Sequence, residues 1–77
     1  MSKVKLFHFV APDVDEQVYY KTARTAINDA LVASFAGHTK LYRVLEDGSE
    51  VLLYDSLKCK EKTADAILKW AEKGGKQ

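Results

Sequence analysis

The sequence predicts a small α+β domain with the element order β-α-β-β-α, and three observations carry that reading. Val4–Val10 and both halves of Thr39–Asp55 are rich in strand-forming residues. Asp47-Gly48 divides the second of these stretches as a hairpin turn would. Apolar residues recur at three- and four-residue spacing in two further segments, as one face of a helix requires. A chain of 77 residues has room for one core, so residues 1–77 are expected to form a single domain. Its expected parts are a strand over 4–10, a helix over 14–36, a hairpin over 39–55, a helix over 60–73 and a frayed tail over 74–77.

In the first strand, Val4, Leu6, His8 and Val10 point one way, and Lys5, Phe7 and Phe9 the other. The two phenylalanines carry the larger apolar payload, which assigns their side to the core. Pro12 ends the strand, and Asp13 with Glu16 has the spacing of a capping box. The long helix that follows would bury Tyr20, Ala23, Ile27, Ala30, Leu31 and Ser34. Lys21, Arg24, Thr25, Asn28 and Asp29 would face solvent, and Gly37 would supply a left-handed C-terminal cap.

A two-residue loop at Asp47-Gly48 sets Leu45 opposite Glu50, Val44 opposite Val51, Arg43 opposite Leu52, Tyr42 opposite Leu53 and Leu41 opposite Tyr54. Tyr42, Val44, Val51 and Leu53 then share one side of the ribbon. Leu41, Arg43, Leu45, Glu50, Leu52 and Tyr54 share the other. In the second helix Ala64, Ile67, Leu68 and Ala71 form the apolar face with Trp70 at its border, and Gly74-Gly75 stops it. The order matches a ferredoxin-like βαββαβ unit without its last strand. That implies a three-stranded antiparallel sheet of order 1-3-2 with both helices on one face, the other face open and the first strand's outer edge unpaired. A meander-like three-stranded packing is the simpler alternative.

Composition narrows the function. A hydrophobic fraction of 47%, a charged fraction of 30% and a net charge of +1 describe an ordinary globular protein. They provide no general drive towards nucleic acid or an anionic membrane. The apolar run before Pro12 is too short for a signal peptide or a membrane span. Cys59 is the lone cysteine, which rules out an internal disulfide and points to a reducing, cytoplasmic compartment.

No catalytic constellation emerges. His8 and His38, with Asp13, Asp55 or Cys59, are explained as a strand residue and a loop residue near a helix end. Asp13, Asp15 and Glu16 suit a helix N-terminus without a cation, and no glycine lies in a phosphate-binding loop. Lys58, Lys60 and Lys62 could lower the pKa of Cys59, but a structural thiol needs fewer assumptions. The sequence therefore predicts no enzyme, no cofactor and no metal site.

Surplus apolar strand surface favours binding. Leu41, Arg43, Leu45, Leu52 and Tyr54, joined by Leu6, His8 and Val10 and with Trp70 nearby, have the composition of a protein interface. The expected partner is another protein, including a second copy of the chain as a homodimer. Compact size without a catalytic set is also the style of small early proteins of bacteriophages and mobile elements, including anti-defence inhibitors that occlude a partner surface. The alternative is a nucleic-acid-binding domain using Arg43, Lys58, Lys60 and Lys62 beside an open sheet, although the aromatic, glycine-containing pattern of RRM sheets is absent.

Overall fold

A strand of only three residues decides the topology. The computed structural model describes residues 3–12 and 17–73. Its elements run β1 (Val4–Val10), β2 (Val18–Tyr20), α1 (Ala23–Ser34), β3 (Lys40–Leu45), β4 (Glu50–Asp55) and α2 (Ala64–Glu72). Val18, Tyr19 and Tyr20 are one β-branched and two aromatic residues, which favour extended backbone over helix. They pair antiparallel with β1, setting Phe7 opposite Tyr20 and Phe9 opposite Val18. The expected helix over 14–36 is thereby shortened to Ala23–Ser34. The Asp13/Glu16 capping box falls within 13–16, outside the described residues.

The sheet has four strands in the order β2-β1-β3-β4, not three in the order 1-3-2. Both β2 and β3 are antiparallel to β1, so they run parallel to each other, and α1 is the crossover that joins them across β1. The outer edge of β1, expected to be unpaired, is occupied by β2. The reading as a ferredoxin-like unit lacking its last strand is overturned by these pairings. What stands is a small α+β domain with a four-stranded antiparallel sheet and two helices.

Hairpin geometry departs from the expected register for a physical reason. The loop is longer: Leu45 N–H donates to Ser49 O at 2.9 Å and Gly48 N–H donates to Leu45 O at 3.0 Å. Glu46, Asp47 and Gly48 thus form a three-residue connection with Gly48 at φ +90°, the left-handed position such loops require. Asp47 Oδ1 accepts from Ser49 N–H at 2.9 Å and from Ser49 Oγ at 2.6 Å, and these bonds hold its carboxyl below the ordinary range. The extra residue shifts the pairing, so that Val44 faces Glu50, Arg43 faces Val51 and Tyr42 faces Leu52. A β-bulge at Leu53 then restores Leu41 opposite Tyr54. Across that bulge Leu41, Leu53 and Tyr54 are all interior.

Gly48→Ala is expected to cost about 1–2 kcal/mol, because a Cβ is disfavoured in the left-handed region. In a domain of this size that is a Tm loss of roughly 5–15 °C, read by thermal melting. Gly48→Asn is expected to lose less, since asparagine visits this region more readily. Gly37, expected as a left-handed cap, has no positive φ; α1 closes at Phe35 in right-handed geometry. An added Cβ at Gly37 would meet Pro12 Cγ at 3.4 Å, an ordinary van der Waals contact, so neither backbone nor packing demands glycine at this position.

Both helices pack on the Phe7/Phe9 face. Ala26, Ile27 and Ala30 of α1 join Ala64, Ile67 and Trp70 of α2 over Phe7, Phe9, Leu41, Leu53 and Tyr54. Small alanines bring α1 close to the sheet, leaving depth for the aromatic rings. The second helix begins later than the expected residue 60, at Ala64, where the Thr63 hydroxyl caps it by accepting from Ala66 N–H at 3.2 Å. The Tyr20 hydroxyl, hydrogen-bonded to the Asp29 carboxylate, ties β2 to α1, and its pKa is pushed up to about 12.

Candidate functional site

Alternation along β1 that buries Phe7 and Phe9 turns Leu6, His8 and Val10 to the face without helices. Cross-strand pairing then builds a row through the middle of that face. His8 lies opposite Tyr19 on one side and Tyr42 on the other, and Tyr42 lies opposite Leu52. Leu6 and Val44 flank the row at one end, Val10 and Lys40 at the other.

Ring geometry defines what this row presents. The His8 and Tyr19 rings stack with centroids 4.8 Å apart and planes 18° apart, and Tyr42 lies on the other side of His8 at 6.3 Å. A 4.8 Å separation matches the spacing of neighbouring strands. The rings therefore stand side by side on the sheet, each shielding its neighbour's face and offering edges and polar tips outward. His8 Nδ1 meets Glu50 Oε1 at 3.0 Å, which fixes the ring between the two tyrosines. Tyr19 is 42% exposed, Val10 39% and Leu52 36%, so the band is accessible and mostly apolar.

The residues singled out from sequence do not form one surface. Leu41 and Tyr54 are fully interior and Trp70 is buried in the helix–sheet core. Arg43 and Leu45 are half-buried, with Arg43 opposite Phe7 on the core side of β3. Leu52 alone of that set lies on the open face, joining Leu6, His8 and Val10, which were expected there. Tyr42 and Val44 lie on the open face, whereas a two-residue loop, by inverting their phase relative to β4, puts them on the buried side. Tyr19 falls inside the helix expected over 14–36, so the sequence reading does not place it on the sheet. The run Val18-Tyr19-Tyr20 was the available signal for a strand. Lys58, Lys60 and Lys62 are exposed on the link before α2, whereas Arg43 is half-buried on β3.

A second cluster surrounds His38. Its Nε2 meets Asp55 Oδ1 at 2.7 Å, and the same oxygen accepts from Leu57 N–H at 3.0 Å. Burial alone would raise the Asp55 carboxyl, but the Leu57 amide, the His38 ring and the charge of Lys40 together hold it below the ordinary range. Asp55 is 5% exposed. This pair clamps the α1–β3 link to the end of β4. Cys59 is buried, and burial pushes its thiol up, which makes it a poor nucleophile.

Among the described residues no group of three or more His, Cys, Asp or Glu side chains is placed to hold a metal ion, and no helix is long and apolar enough to cross a membrane. No family model matches the chain, and no curated protein or solved structure is significantly similar to it.

Proposed function

We propose that this domain is a non-catalytic module that binds another protein through the helix-free face of its sheet and acts by occluding that partner's surface. One observation carries the reading: both helices cover the Phe7/Phe9 face, and the opposite face bears the band Tyr19–His8–Tyr42–Leu52 with apolar flanks. Tyrosines with an apolar body and a polar edge suit protein interfaces. Base stacking is less well served, because the His8 ring faces are taken by its neighbours.

The size of the face bears on the occupant. Strands about 4.8 Å apart and a few residues deep give a face of roughly 300 Å². Two copies meeting only here would bury roughly 600 Å², short of the ~1,000 Å² of a stable interface. A different protein, whose contact continues onto the exposed Glu50 of the edge strand β4, fits better.

The test is affinity capture from lysate with the wild type, with a Tyr19→Ser/Val10→Ser/Leu52→Ser variant and with Val32→Ser on α1 as control. The expected result is one protein captured by wild type and control and reduced at least about tenfold by the triple variant, with an unchanged circular dichroism spectrum. Equal capture by the triple variant contradicts the reading. Capture of a second copy alone, seen as a dimer in light scattering, contradicts the choice of occupant.

A further inference from the structure

The C-terminal end of α1 carries apolar surface that neither the core nor the open sheet face uses. Phe35 is 81% exposed and Leu57 64%. Phe35 and Leu57 line, together with Ser34, Ser56, His38 and Lys62, an open and largely polar cleft of about 360 Å³. His38 is held there by Asp55, and the Lys62 Nζ lies 5.8 Å from the centre of the Phe35 ring. A ring capped by a cation beside an aliphatic wall is a partly apolar, partly positive receptor. The adjoining link Lys58-Cys59-Lys60-Glu61-Lys62 carries three lysines against one glutamate, so its charge is positive.

We propose that this cleft is a second docking site, which takes a protein segment that carries an apolar side chain flanked by acidic residues. The apolar side chain fits between Phe35 and Leu57, and a neighbouring carboxylate meets Lys62. Charge complementarity selects this occupant. A nucleic-acid strand is disfavoured, because a single short basic link in a chain of net charge +1 offers no extended track for phosphates.

The experiment is an NMR titration of the isotope-labelled full chain with a blocked peptide in which a leucine lies between glutamates. The same peptide with lysines in place of the glutamates, and single-stranded oligo-dT, serve as comparisons. Saturable shifts are expected at Phe35, Ser56, Leu57 and Lys62 with the glutamate peptide, and the lysine peptide is expected to bind roughly tenfold more weakly. Lys62→Glu is expected to reverse that preference, an outcome that a merely structural lysine would not give. Phe35→Ser, at an exposed position, is expected to abolish the shifts while leaving the Tm unchanged. The inference is overturned by absence of shifts at peptide concentrations above about 1 mM, by a preference unchanged in Lys62→Glu, or by oligo-dT occupying the cleft more tightly than the glutamate peptide. These readouts are independent of Tyr19, Val10 and Leu52, so the two surfaces stand or fall separately.

Discussion

Tyr54→Ala is expected to lower stability by about 3–5 kcal/mol, the usual loss when a large buried aromatic is truncated. A chain of 77 residues has a total stability of roughly 4–12 kcal/mol, so the variant should lose a large share of it and melt far below the wild type. The cause lies in the β-bulge at Leu53, which turns both Leu53 and Tyr54 into the core against Leu41. Thermal melting and near-ultraviolet circular dichroism read the result. An unchanged Tm with lost partner binding would instead place Tyr54 on an interface, as a strict two-residue hairpin register does. Trp70 offers a graded comparison. Its Nε1 is buried without a hydrogen-bond partner among the described residues. Trp70→Phe removes that unsatisfied donor and should cost well under the ~3–5 kcal/mol of Trp70→Ala.

Asp55→Ala is expected to cost about 2–3 kcal/mol, because it leaves the Leu57 amide and the His38 ring without their buried acceptor. In a domain of this size the Tm should fall by roughly 10–20 °C. The pH dependence follows from the sign of the shift. The carboxyl is held below its ordinary value in the folded state, so the native state binds this proton less tightly than the unfolded chain. Its stabilisation is fully present above about pH 3.9, the unfolded value, and is lost as pH falls through the lower folded pKa. Chemical denaturation of the wild type and of Asp55→Asn across that range should show their stability difference shrinking on acidification. A difference that stays constant or grows would remove Asp55 as the titrating group.

Much of the architecture is legible in local pattern. Phe7 and Phe9 mark the core face of β1 by size and alternation, and the helical stripes around Ile27 and Ile67 identify the packed sides of both helices. The hairpin is announced by Asp47-Gly48. Its loop length is not, since Glu46-Asp47-Gly48 and Asp47-Gly48 are both acceptable turns and differ by one residue. One residue inverts a strand's faces, which is why a two-residue loop puts Tyr42 and Val44 on the buried side. The bulge at Leu53 then compensates, and a bulge leaves no mark in an apolar run such as Val51-Leu52-Leu53-Tyr54. The strand Val18–Tyr20 was hidden differently, because it lies directly before an alanine-rich helix and extends that helix's apolar spacing.

Tyrosine nitration, mapped by mass spectrometry on the free protein and on the protein bound to its captured partner, tests the assignment of the two sheet faces most directly. Tyr19 and Tyr42 should react in the free protein and become protected in the complex. Tyr54 should resist in both states because it is interior, and Tyr20 should react slowly because its hydroxyl is tied to Asp29. Rapid nitration of Tyr54 in the folded protein, or Tyr19 and Tyr42 remaining reactive in the complex, would contradict the open sheet face as the binding surface.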